Sequence, residues 1–78
     1  MAIRTTVFRG LAYNVLIEEF HDQDSAGHLV AYLASIYVET TSGRHLVRRS
    51  RLPGAAETLR REIERDGIRI YGPRNPRA

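Results

Sequence analysis

The stretch HLVAYLASIYVET, residues 28–40, decides the architecture. Laid out as a strand, its alternate residues fall into two sets. Val30, Tyr32, Ala34, Ile36 and Val38 form one; Leu29, Ala31, Leu33 and Tyr37 form the other. Both sets are apolar. A strand that is apolar on both faces sits at the centre of a sheet and is covered twice. The chain has only 78 residues, so one internal layer is all it has to offer. A partner molecule is the natural source of the second cover.

Working outward, YNVLIEEF (13–20) is rich in strand formers, with Tyr13, Val15 and Ile17 on one side and Leu16 and Phe20 on the other. A helix over residues 11–20 is the competing reading, because Leu11, Val15 and Glu19 lie four apart. HDQDSAG (21–27) reads as a polar loop. Residues 3–9 can add a further strand. On the C-terminal side, TSG (41–43) is a turn with glycine available for positive φ, and RHLVRRSRL (44–52) returns as a strand until Pro53 and Gly54 break it.

AAETLRREIERDG (55–67) is the best helix in the chain. Ala55, Ala56, Leu59 and Ile63 form one narrow apolar stripe. Glu57–Arg61 and Arg60–Glu64 are i,i+4 pairs on the wet side. Gly67 is expected to end the helix as a left-handed cap, with Ile68 folding back on Ile63. IRIY (68–71) reads as a short last strand, and GPRNPRA (72–78) as a basic flexible tail. The predicted fold is one small α+β domain over residues 1–71. It has two layers: an antiparallel sheet of three to four strands packed on one C-terminal helix.

Composition narrows the function. A chain this short buries only about 60% of its unfolded surface, so its core is marginal. There is no cysteine, which removes disulfides, thiolate metal sites and cysteine nucleophiles, and argues against an oxidising compartment. No apolar run approaches the roughly 20 residues that span a bilayer, and MAIRTTVFRG has no signal-peptide core. These features predict a cytoplasmic protein without membrane contact. All 12 basic residues are arginine. Residues 1–43 hold two arginines against five acids, and residues 44–78 hold ten against four, so the chain is electrically two-sided along its length.

Four constellations could carry chemistry. HDQDSAGH brings His21, Asp22, Asp24 and His28 into eight residues. Zinc or manganese accepts such ligands, but the spacing matches no metal motif, and polar residues at a hairpin tip are the default reading. Ser25, Ser35, Ser42 and Ser50 stand in no nucleophile elbow, and no glycine-rich phosphate loop is present. A non-enzyme without cofactor or metal is expected. The arginine strand is the third constellation: Arg44, Leu46, Arg48 and Ser50 alternate with His45, Val47, Arg49 and Arg51. Charge on both faces suits an edge strand, where it blocks pairing with strangers. With Arg69, Tyr71 and Arg74 it forms the candidate partner-binding set. Arginine pairs bidentately with carboxylate or phosphate, where lysine is a poor substitute. Direct nucleic-acid binding would require salt-sensitive affinity and stacking aromatics. Only Tyr71 is close in sequence, and neither the aromatic signature of the RNA recognition motif nor a helix-turn-helix is present.

The two-faced apolar strand 29–38 is the fourth. One helix with only Leu59 and Ile63 as large apolar residues covers little area, so an intermolecular surface, a homodimer included, is expected there. In size and general character the chain resembles the small inhibitors of phages and mobile elements, anti-CRISPR proteins among them. Its strand–strand–strand–helix order is loosely similar to that of HicB-like antitoxins. These inhibitors share no common motif, so the resemblance transfers no functional residue. It implies a non-catalytic module that binds an acidic protein surface or a nucleoprotein complex and acts by occlusion. A protein that binds DNA or RNA directly through residues 44–51 is the alternative.

Overall fold

The computed structural model describes residues 2–70. Four strands come first: β1 (Ala2–Phe8), β2 (Asn14–Gln23), β3 (Leu29–Thr40) and β4 (Gly43–Ser50). Helix α1 (Ala55–Asp66) and a single 3₁₀ turn at Ile68–Ile70 follow. The strands form one sheet in the order β1-β2-β3-β4, every neighbouring pair antiparallel. The fold is therefore the expected α+β arrangement, with strands dominating. Tyr71 and the basic segment 72–78 lie outside the described residues.

Residues 14–23 are a strand, not the competing helix. The reason lies in what each side chain meets. Val15 and Ile17 point to the helix side and enter the core, whereas Leu16 is buried on the other side and is not part of it. A helix could not divide three consecutive apolar residues in this way; a pleat does so automatically. β3 divides likewise. Tyr32, Ala34, Ile36 and Val38 join Ala55, Ala56, Leu59 and Ile63 of the helix in the core, with Phe8, Tyr13 and Ile68 packed around it. The apolar stripe read along the helix is the buried stripe.

Three local expectations need correction. Residues 21–27 are not all loop, because β2 runs on through His21, which pairs with both Ala2 and Tyr32. The turn is confined to the next few residues, where Asp24 closes it. The Asp24 Oδ1 accepts from the backbone N–H groups of Ala26 and His28 at 2.9 Å each. Polar composition marked a loop, but cross-strand pairing on both sides overrode it. Residues 68–70 are a 3₁₀ turn, not a strand: Ile68 turns inward against the core instead of extending along a sheet edge. Finally, Gly67 has φ 88° and ψ 165°, so it is extended with positive φ and not left-handed helical, while its N–H donates to the Ile63 carbonyl at 2.7 Å. Only glycine adopts that backbone readily.

The N-terminus of the helix is capped from outside the helix. Gly54 at the cap has φ 86° and offers no side chain. The Tyr32 hydroxyl on β3 takes over: it accepts the Ala56 backbone N–H at 3.0 Å and donates to the Glu19 carboxylate at 2.7 Å. The Ala55 N–H donates to the Leu52 carbonyl at 3.0 Å. Two of the helix's orphan donors are thus satisfied, and a carboxylate lies near the positive end of the helix dipole. The same contacts fix the helix over the sheet.

Candidate protein-binding surface

Among the described residues β4 is an edge strand, paired only with β3. Its residues are exposed along almost the whole length, so its arginines are presented to solvent. They do not follow the uninterrupted alternation read from the sequence. Leu46 pairs with Tyr37 and Arg48 with Ile36, which leaves Val47 as an extra residue in a bulge. Such an insertion reverses the facing of every later side chain. Arg44 and Leu46 share a face with Arg49, while His45 shares the helix side with Arg48 and Ser50.

The arginines differ in how far they are committed. Arg44 lies 3.7 Å from the Glu39 carboxylate, its cross-strand partner, with its guanidinium 5.5 Å above the Tyr37 ring centre. Arg48 lines a small groove of about 120 Å³ between the strand and the helix, with Leu52, Leu59 and Glu62. Arg51 borders an open hollow of about 190 Å³ with Val30, Tyr32 and Pro53. No ion pair to Arg48, Arg49, Arg51 or Arg69 is found among the described residues. Arg69 sits on the 3₁₀ turn after the helix and is not part of the sheet edge. Tyr71 and Arg74 lie outside the described residues.

The helix arginines are spoken for. Arg60 bridges Glu57 and Glu64, Arg61 reaches Glu57 at 3.2 Å, and Arg65 holds Asp66 at 2.7 Å. Hydrogen bonding to Arg60 holds the Glu57 carboxyl below its ordinary range, Arg65 does the same to Asp66, and Glu57 raises Arg60 in turn. These pairs are at the surface, so each contributes little to stability. They do cancel the helix's charge as seen by a distant partner.

The His21, Asp22, Asp24 and His28 group does not converge. His21 lies on the helix side of the sheet, its ring tilted against Tyr32 with centres 6.4 Å apart. Asp22 follows it on a strand and so points the opposite way. Asp24 is engaged in closing the turn and stands 3.5 Å from the His28 imidazole. Among the described residues no three His, Cys, Asp or Glu side chains come together as a metal site would require. The roomiest of the concavities seen, about 420 Å³, is an open hollow beside Tyr13, Asn14, Glu39 and Arg44. No helix among the described residues is long and apolar enough to cross a membrane.

Sequence reasoning found only part of a second feature of this surface. The face of the sheet away from the helix is apolar across all four strands. Ile3 and Val7 from β1, Leu16 and Phe20 from β2, Leu33 and Tyr37 from β3, and Leu46 from β4 share it. Ile3 is 60% exposed, Leu46 47% and Val7 42%. The alternating sets of β2 and β3 announced this face. Its extension onto the edges depends on the pairing register and on the Val47 bulge, which are properties of the assembled sheet. Comparison of the chain with protein-family models, with curated proteins and with solved structures found no match to any of them.

Proposed function

We propose that the chain is a small, non-catalytic protein-binding module. It would grip an acidic surface on a larger protein or nucleoprotein complex through the β4 edge and act by occlusion, in the manner of the small inhibitors carried by phages and mobile elements. The observation that carries this reading is the contrast between two groups of arginines. Those of the helix are neutralised by glutamate and aspartate, whereas Arg48, Arg49 and Arg51 stand exposed on an unpaired strand edge and just beyond it. Arginines desolvated against carboxylates are typical energetic anchors of interfaces, and segregated charge speeds docking.

Direct binding of nucleic acid by the same arginines is the second reading, favoured by the Arg44 guanidinium over Tyr37. The bulge weighs against it. It sends Arg48 and Arg49 to opposite faces, whereas a phosphate-tracking groove needs its charges on one.

The test compares the chain with an Arg48→Glu/Arg51→Glu variant whose fold is checked by circular dichroism. The wild type is expected to capture a defined acidic protein from the cell's proteins, identified by mass spectrometry, and the variant to lose at least about tenfold in affinity for it. Mobility shifts of DNA and RNA are run at about 50 and 200 mM salt. A retarded nucleic acid whose binding collapses with salt and with the same substitutions would overturn the proposal in favour of the alternative. Equal capture by variant and wild type would overturn the assignment of the β4 edge.

A further inference from the structure

The face of the sheet away from the helix, which no other element among the described residues covers, is patterned as well as apolar. Beyond the pair Asp22–Ala31 at one end, its rows across the strands are Ile3–Phe20–Leu33, then Thr5–Glu18–Ser35–Arg49, then Val7–Leu16–Tyr37–Leu46, then Asn14–Glu39–Arg44. One charged row thus lies between two apolar ones. At its centre Ser35 is only 2% exposed, and no hydrogen bond to its hydroxyl is found among the described residues. The open charges of that row are therefore Glu18 and Arg49, one on each side of it.

We propose that this face is covered by a second copy of the chain, sheet against sheet, about a two-fold axis parallel to the strands. Such an axis lays β1 of one copy over β4 of the other and β2 over β3, so that every row meets its own kind. Val7 faces Leu46 of the second copy, Leu16 faces Tyr37, and Phe20 faces Leu33. In the charged row, Glu18 falls over Ser35 of the second copy and beside its Arg49. The carboxylate gains a cation, twice over by symmetry. An axis across the strands would instead lay β2 over β2 of the second copy, setting Glu18 opposite its own copy or, with the axis displaced along the strands, against an apolar row; the first costs like-charge repulsion and the second the desolvation of an unpaired charge. A wholly apolar occupant would carry the same desolvation cost.

Size supports the same occupant. Four strands about 4.8 Å apart and rows reaching over some 20–25 Å give roughly 400–500 Å² in projection, and more in accessible area. Counted on both copies, this reaches the ~1,000 Å² at which specific interfaces begin. Aligned packing of two twisted sheets at about −30° is the common geometry for such faces.

The proposal uses Arg49, which the β4 reading also counts among its exposed arginines, but it does not rest on that reading, and its test needs no partner. The full chain is followed by sedimentation velocity from about 1 µM to about 1 mM, a range that spans micromolar to millimolar dissociation constants. A monomer of 8.9 kDa is expected to give way to a species of twice that mass. Glu18→Arg should weaken association at least about tenfold, and combining it with Arg49→Glu should restore part of the loss, because the swapped charges again meet across the interface. Val7→Lys places a charge in an apolar row and should abolish the dimer, with circular dichroism confirming that the monomer stays folded. A chain that is monomeric at every concentration would overturn the proposal. So would a dimer indifferent to Glu18→Arg and Val7→Lys, since it would be joined elsewhere, for instance along the β1 edge.

Discussion

The Tyr32 hydroxyl stands where a serine or aspartate cap would stand in most helices. Phenylalanine at this position keeps the ring and removes both hydrogen bonds, leaving the Ala56 N–H buried without an acceptor. Tyr32→Phe is therefore expected to lower stability by about 1–3 kcal/mol, read by chemical denaturation. Burial pushes the Tyr32 phenol above its ordinary value of 10.0; the Ala56 N–H opposes this and Glu19 reinforces it. The sign follows from linkage. The unfolded chain loses this proton first, so the stability attached to the neutral phenol is complete below about pH 10 and declines as pH rises toward and through the folded value. Wild-type stability should fall in that alkaline range, and Tyr32→Phe should fall less steeply. None of this could be read from the sequence. Tyr32 was legible as an apolar member of a central strand, but its hydroxyl's role depends on a helix whose cap position is glycine.

Helix α1 shows the opposite case. Its stripe of Ala55, Ala56, Leu59 and Ile63 follows from helical spacing alone, and all four are buried. Leu59 is 5% exposed and is one of only two large apolar residues the helix contributes to the core. Truncation to alanine should cost about 2–5 kcal/mol, a large share of what a domain this size possesses. The measurement is equilibrium unfolding in urea, and an unchanged midpoint would mean that the helix does not hold the sheet. β4 was only half legible. Its existence and its edge position followed from charge on both alternating sets, yet its facing did not. A bulge is set by how two strands register against each other, and RHLVRRS carries no glycine or proline to mark one. Likewise, the polar residues after Phe20 read as loop because the β1 and β3 partners that hold them in the sheet are distant in sequence.

The two-layer form follows from the count of apolar residues. Among the described residues there is one helix for a sheet with two apolar faces, and that imbalance is legible in the two alternating apolar sets of β3. What the sequence could not show was which residues line the bare side, since that depends on pairing. If two copies share the bare side, folding and association are linked, and the unfolding temperature must climb with protein concentration. Calorimetry at about 10 µM and about 1 mM should show a rise of several degrees for the wild type, the linkage relation giving up to ~2.7 kcal/mol when the ratio of concentration to dissociation constant is near 100. Val7→Lys should show none. A concentration-independent transition in the wild type would fit a lone chain.

The bulge at Val47 also limits the shape of whatever meets β4. Arg48 and Arg49 project from the two sides of the sheet margin like the prongs of a clip. A flat surface could touch one prong only. Anything that engages both on a single chain has to be notched, with acid on each wall and room between them for a single strand's thickness; in the two-fold pair the second copy supplies one of those walls with Glu18.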